Sequence, residues 1–172
     1  MITPSNIQER LAAIRLLLMD VDGTLTDGSI ILDSHGVESK QFNVRDGMGI
    51  SLVHQANVAT GLITARTSPI VQQRAKELNI TYVMQGVQQK GDAARSVMME
   101  AGVTSLQTAY IGDDVNDVDA FEAVGIKFAV GDAAGRLKML ADVILNKDGG
   151  RGAVREAVEQ ILAAKEALNR GK

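Results

Sequence analysis

Two carboxylates stand two residues apart in Asp20-Val21-Asp22-Gly23-Thr24, directly after an apolar run over residues 14–19. Side chains at i and i+2 of an extended chain point the same way, so Asp20 and Asp22 face one site. Carboxylates held that close repel unless a cation or a shared proton relieves them. A second acidic cluster, Gly112-Asp113-Asp114-Val115-Asn116-Asp117, follows another short apolar run at residues 109–111. Oxygen-only clusters of this kind suit Mg²⁺, which takes one or two carboxylates, keeps water and commonly bridges to phosphate. Aspartate is frequent at helix caps in its own right, so one cluster would carry little weight. Two of them at two strand ends point to phosphoryl chemistry.

Two further polar residues fit a phosphate site. Thr64 closes the run Val58-Ala59-Thr60-Gly61-Leu62-Ile63, where its hydroxyl and the neighbouring N–H groups can hold phosphate oxygens. Lys90 opens a helical pattern after Gln85-Gly86-Val87, where a point charge neutralises phosphate or braces a carboxylate. Each is weak alone, because a lone threonine or lysine is usually solvated surface. His35 in a turn and His54 in a helix have no serine and carboxylate arranged around them, and both read as structural. Met98 and Met99 read as core packing. Neither a GxxxxGK[ST] loop nor a strand-linked GxGxxG is present, so nucleotide binding has no support.

These residues need a scaffold that brings strand ends together. Short apolar runs at 14–19, 58–63, 82–84, 109–111 and 126–130, with a weaker one at 143–145, alternate with helical patterns at 48–56, 69–78, 90–101, 117–124 and 134–140. That alternation predicts a doubly wound, Rossmann-like α/β fold: a parallel sheet covered on both faces, with ligands beyond the carboxyl ends of the strands. Ser5 and Gln8 form a capping box for a leading helix to about residue 13, and Ser68-Pro69 supplies another helix start. A terminal helix and tail run over about 152–172, with Val154, Ala157, Val158, Ile161 and Leu162 on one face. One segment breaks the alternation: β-like runs at 29–32 and 37–43 flank Asp33-Ser34-His35-Gly36 and predict a protruding β-hairpin.

With 172 residues and no linker or repeat, the chain reads as one domain, large enough to need neither disulfide nor structural metal. Cysteine is absent, which excludes thiol chemistry. A net charge of −3 without a basic block, and 3% aromatic residues, argue against a nucleic-acid partner. No long apolar run suggests a membrane span, and a start without an apolar stretch makes a cytoplasmic location the expectation.

Asp20-x-Asp22-Gly23-Thr24, Thr64, Lys90 and Gly112-Asp113-Asp114-x-x-Asp117 resemble, in order, the four motifs of the haloacid dehalogenase superfamily of aspartyl phosphotransferases. The resemblance narrows to the 3-deoxy-D-manno-octulosonate 8-phosphate phosphatases through Phe42-Asn43-Val44-Arg45-Asp46-Gly47, Thr64-Ala65-Arg66, Tyr82-Val83-Met84-Gln85-Gly86 and Gly149-Gly150-Arg151-Gly152-Ala153-Val154-Arg155-Glu156. It covers roughly residues 11–164; Ser51 stands where many members are expected to carry arginine.

The resemblance implies a set of roles. Asp20 is the nucleophile that forms an aspartyl-phosphate, and Asp22 is the acid and base. Asp20, Asp22 (through its backbone carbonyl) and Asp113 bind Mg²⁺, with Asp114 and Asp117 behind them. Thr64 and Lys90 hold phosphoryl oxygens, while Asn43, Val44, Arg45, Asp46, Gly47, Arg66 and Arg74 contact a sugar phosphate of lipopolysaccharide precursor synthesis. A phosphatase for another sugar acid, such as a nonulosonate 9-phosphate, is the near alternative. A phosphoacceptor receiver domain is the alternative from another class, and it has no use for a proton donor at Asp22.

Superfamily relatives usually insert a cap domain beside these motifs. Only 41 residues separate Asp22 from Thr64 and 25 separate Thr64 from Lys90, which leaves no room for one. The hairpin, with Ile30, Ile31, Leu32 and Val37, is expected to contact a neighbouring subunit and share the site, in the homotetramer that the resemblance implies.

Overall fold

The computed structural model describes residues 6–170. Six parallel strands form the central sheet: β1 (Leu16–Met19), β4 (Ala59–Ile63), β5 (Tyr82–Met84), β6 (Thr108–Gly112), β7 (Ile126–Ala129) and β8 (Val143–Ile144). Their order is β5-β4-β1-β6-β7-β8. From β1 the chain winds outward through β4 to β5, returns to β6 on the other flank of β1, and winds outward again. The winding therefore reverses between β1 and β6, and a crevice opens at their carboxyl ends. Met19 pairs with Ile111 in that register, so Asp20 and Asp113 leave the sheet side by side.

The inner strands are buried on both faces, as continuous apolar runs require: every residue of β1 and β6 is inaccessible. Seven helices cover the sheet: α1 (Ile7–Ala12), α2 (Val44–Gln55), α3 (Pro69–Glu77), α4 (Lys90–Ala101), α5 (Val118–Ala123), α6 (Gly135–Leu140) and α7 (Ala153–Arg170). Helices α1, α2 and α7 pack together, and α4 packs on α5. The apolar stripe of α7 (Val154, Ala157, Val158 and Ile161) is buried as its spacing requires.

Several boundaries differ from the sequence expectation. Ser5 lies outside the described residues, and Asn6 caps α1 by accepting a bond from Gln8 N at 3.0 Å. Helix α2 starts at Val44 rather than near residue 48, because Asn43 caps it and accepts from Arg45 N at 2.8 Å. Gly47 and Gly49 are poor helix formers, but both are buried within α2. Gly49 lies where a Cβ would stand 3.1 Å from Arg155 Cα of α7, so tight packing overrides propensity. Ser68 occupies the cap position of α3 but makes no capping bond with its side chain. Met98 is buried, whereas Met99, expected in the core, is 80% exposed. The inner face of α4 is Ala93, Ala94, Val97 and Met98, and the next residue is rotated off it.

The hairpin is real but minimal: β2 (Ile31–Leu32) pairs antiparallel with β3 (Glu38–Ser39). Its turn is tied by Asp33, whose carboxylate accepts from His35 N and Val37 N, both at 2.8 Å. No cap domain is evident among the described residues.

The segment between β8 and α7 is wedged beneath the loop that follows β1. Gly150 N donates to Thr24 O at 2.9 Å, and a Cβ on Gly149 would stand 1.7 Å from Gly23 O. Gly149→Ala is therefore expected to destabilise the fold by about 3 kcal/mol, the upper end for overpacking. Gly135→Ala, at a helix start with nothing within 4 Å of the added carbon, is expected to be neutral or slightly stabilising. Denaturant midpoints of the two variants check the contrast.

Candidate active site

At the carboxyl ends of β1 and β6, three aspartates and one lysine converge. Lys90, the first residue of α4, lies with its ammonium 3.0 Å from Asp20 Oδ1 and 2.7 Å from Asp117 Oδ1. All three side chains are essentially buried. Asp117 is fully enclosed and saturated with donors. Its Oδ1 also accepts from Tyr110 OH at 2.8 Å, and its Oδ2 accepts from Asp113 N at 2.9 Å. Asp117 thus ties the α4 lysine, β6 and the second acidic loop into one unit.

Asp113 leaves this loop toward Asp20. One carboxylate oxygen from each of Asp20, Asp113 and Asp117 can be drawn so that all lie within 4.8 Å of one another. Gly23 closes the group from the first loop: its φ is +91° and a Cβ there would stand 2.0 Å from Asp113 Oδ2. Only glycine allows that approach. Asp113 Oδ1 is buried with no hydrogen-bond partner among the described residues. Three carboxylates facing one ammonium leave an excess of negative charge, and the buried, unpartnered oxygen of Asp113 can ligate a cation. The donors are all oxygen, so the arrangement fits a hard divalent ion such as Mg²⁺.

The strain of this charge appears in the acidities. Burial, then repulsion from Asp117, pushes the Asp20 carboxyl up to about 6 against the pull of Lys90. Burial, then repulsion from Asp20 and Asp117, pushes Asp113 to about 8. The Tyr110 hydroxyl is driven well above its ordinary value by burial and by the same aspartates. Lys90 is held above the ordinary lysine value: burial lowers it, but Asp20 and Asp117 together outweigh burial.

The other expected residues separate into those at the centre and those around it. Thr64 is buried one residue beyond β4, where its N–H donates to Met84 O and its carbonyl accepts from Val87 N. Asp22 sits at the rim, and its carboxylate accepts from Lys40 of the hairpin. Asp114 is exposed and accepts from Val115 N at 2.7 Å, capping the short 3-10 turn Val115–Asp117 rather than facing the cluster. Arg66 pairs with Glu38 of β3.

The segment at the start of α2 is more occupied with the scaffold than the resemblance suggests. Asn43 Nδ2 donates to Gly150 O at 3.3 Å, and Asp46 is buried and accepts from Arg155 N at 2.9 Å. Asp46 therefore lies at the amino end of α7, where burial raises its carboxyl and the N–H groups of Arg155, Gly152 and Val154 oppose the rise. Gly47 packs against Arg74, which is half-buried beside Glu77 at 3.2 Å and over the Phe42 ring at 5.6 Å. Val44 and Arg45 remain exposed. Beside Arg45 lies a cavity of about 550 Å³ lined also by Lys147, Arg151, Arg155, Glu156 and Glu159, and none of the clustered aspartates lines it.

His54 bonds Thr60 Oγ1 at 2.7 Å and is structural, as expected. Sequence reasoning missed Lys40 and Glu38. They stand two residues apart in an extended run, the same spacing that paired Asp20 with Asp22, and that signal was available.

A family model for haloacid dehalogenase-like hydrolases matches residues 82–157. The 3-deoxy-D-manno-octulosonate 8-phosphate phosphatase KdsC of Haemophilus influenzae is 42% identical over 158 residues, covering 92% of this chain and 88% of that protein. The same enzyme of Salmonella typhi is 38% identical over 98% of this chain and 89% of its own length. Among solved structures, the Yersinia pestis phosphatase of that name superposes with a TM-score of 0.92 at 39% identity, over 96% of this chain and 89% of that one. The Moraxella catarrhalis enzyme, solved with a magnesium ion, a phosphate ion and KDO, gives 0.91 at 37% identity over 98% and 97%.

The raised pKa of Asp113 carries a consequence for the metal-free protein. Between the ordinary carboxylate value of 3.8 and about 8, folded Asp113 keeps a proton that the unfolded chain has released. Stability linked to this group therefore falls as pH rises through that window. Asp113→Asn is expected to stabilise metal-free protein, and the gain is expected to be larger at pH 8 than at pH 5. Urea unfolding at the two pH values, with chelator present, measures the difference.

Proposed function

The chain belongs to the 3-deoxy-D-manno-octulosonate 8-phosphate phosphatases, within the haloacid dehalogenase-like hydrolases, and is a phosphoric monoester hydrolase; on that premise we propose that its own substrate is 3-deoxy-D-manno-octulosonate 8-phosphate. The product sugar acid would enter lipopolysaccharide precursor synthesis. The observation that carries the reading is the buried convergence of Asp20, Asp113 and Lys90 at the reversal point of the sheet.

In this mechanism an Asp20 carboxylate oxygen attacks phosphorus, and the bond from phosphorus to the sugar oxygen breaks. Asp22 gives a proton to that departing oxygen. Water then attacks the aspartyl-phosphate, Asp22 takes its proton, and inorganic phosphate leaves with Asp20 restored. Lys90 and Thr64 hold phosphoryl oxygens as their charge redistributes. Asp20, Asp113 and the backbone carbonyl of Asp22 would hold Mg²⁺, with Asp117 and the more distant Asp114 behind them. When bound, the ion neutralises the crowded carboxylates and the phosphoryl oxygens. Arg45, Arg66 and Arg74, with the other residues of the Asn43 to Gly47 segment, form the surround for the sugar acid.

We read the whole chain as one phosphatase domain working in the cytoplasm. No helix among the described residues is long and apolar enough to cross a membrane. The hairpin presents Ile30, Ile31, Leu32 and Val37 to solvent, each more than 40% exposed, and a two-stranded hairpin is marginal alone. Those residues support a homotetramer in which a neighbouring subunit completes the site.

Asp20→Asn is expected to fold and to lose turnover entirely, because an amide cannot form the acyl-phosphate. Ordinary turnover by this variant, with deamidation excluded by mass spectrometry, overturns the mechanism. Wild-type protein is expected to hydrolyse 3-deoxy-D-manno-octulosonate 8-phosphate in preference to a nonulosonate 9-phosphate, and only with Mg²⁺ present; the reverse preference would move the substrate to the second sugar acid. Shortening the hairpin between Ser29 and Val37 is expected to lower both the mass in solution and the sugar-phosphate rate. A folded monomer with the wild-type rate and specificity refutes the shared site.

A further inference from the structure

Lys40 follows β3, the second strand of the hairpin, yet its side chain is only 2% exposed while its neighbours at the hairpin tip are open to solvent. An ammonium is costly to bury unless it is paired, and this one has two acceptors. Its Nζ contacts Asp22 Oδ1 and lies 3.4 Å from Glu38 Oε1. Glu38 in turn accepts from Arg66, two residues beyond Thr64. The base of the hairpin is therefore fastened to the rim of the site by a chain of alternating charges: Asp22, Lys40, Glu38 and Arg66.

Asp22 is the weakly held member of the catalytic set. Asp20 and Asp117 are gripped by Lys90, but the carboxylate of Asp22 is 23% exposed, and among the described residues Lys40 is its one hydrogen-bond partner. Oδ2 of Asp22 takes no donor among the described residues. A carboxylate on a short side chain rotates freely unless one oxygen is fixed, and a misplacement of about 1 Å in a reacting group can cost on the order of 10²-fold in rate.

We propose that Lys40 is a positioning residue for Asp22: the hairpin carries a buried ammonium that fixes one carboxylate oxygen and leaves the other for the leaving oxygen of the substrate. This rests on the reading of Asp22 as the acid and base. The hairpin then acts on chemistry within its own subunit as well as through any contact with a neighbour, and a single side chain separates the two effects.

The experiment is a double-mutant cycle with Lys40→Met and Asp22→Asn, assayed on 3-deoxy-D-manno-octulosonate 8-phosphate and on 4-nitrophenyl phosphate. Lys40→Met is expected to lower kcat on the sugar phosphate about 10-fold or more with little change in KM, and to affect the aryl phosphate less, since its leaving group hardly needs a proton. Lys40→Arg is expected to recover much of the loss. In the Asp22→Asn background Lys40→Met is expected to add nothing, because the residue through which it acts is gone. Should Lys40→Met unfold, the uncharged Lys40→Gln, which keeps a polar end beside Asp22 and Glu38, is expected to give the same pattern. Equal losses on both substrates, or losses that multiply in the double variant, overturn the proposal. A slow Asp22→Asn enzyme beside a fully active Lys40→Met enzyme overturns it while leaving Asp22 as acid and base. A fully active Asp22→Asn enzyme overturns both.

Discussion

A single ammonium shared by two enclosed aspartates holds the centre of this molecule together. Lys90 lies 3.0 Å from Asp20 and 2.7 Å from Asp117, and all three come from different elements: the end of β1, the start of α4 and the turn after β6. Breaking a buried pair of this kind by removing one partner costs about 3–5 kcal/mol, because the remaining charge is stranded without water. That penalty makes the arrangement all or none. Asp117 adds the Tyr110 hydroxyl and the Asp113 N–H to the same carboxylate, so the strand and the loop carrying Asp113 are located by the bond that locates the lysine. One buried cation is too little for three carboxylates, and the weakened acidity of Asp20 and Asp113 records the deficit. The fold thus stores an electrostatic imbalance that a divalent ion can relieve, at the place where a phosphoryl group would be held.

The sheet explains why these groups meet at all. Winding that begins at β1, moves out to β5 and restarts at β6 leaves no crossover above the ends of β1 and β6, so both acidic loops open into the same crevice. Two glycines then let backbone approach where any side chain would collide: Gly23 against Asp113, and Gly149 against Gly23. The remaining support comes from the carboxyl-terminal third, where Asn43 reaches Gly150 and Asp46 receives the amino end of α7.

Most of this architecture was legible in the chain because it rests on local rules. Buried parallel strands appear as continuous apolar runs, and Asp20 with Asp22, Asp113, Thr64 and Lys90 each follow such a run or open the next helix. Interactions that depend on distant packing were harder to read. The early start of α2 follows from α7 lying against Gly49, and the exposure of Met99 follows from a small rotation about α4. Asp46 belongs to a motif that the resemblance assigns to substrate, yet its carboxylate holds a helix, a role visible only once α7 is in place. Lys40 was passed over because a lysine in a hairpin is usually solvated, and only the fold reveals that its side chain is covered.

The wedge formed by Gly149 and Gly150 also sets an order of assembly along the chain. The loop around Asp20 is synthesised well before the backbone that supports it, through Gly150 N on Thr24 O. Contacts that span so much of the chain close slowly, since the loop entropy comes due before they form. A nascent chain that has already built β1 through β7 consequently carries both acidic loops while the one around Asp20 still lacks its support. Support for that loop arrives only when Gly149 and Gly150 dock ahead of α7.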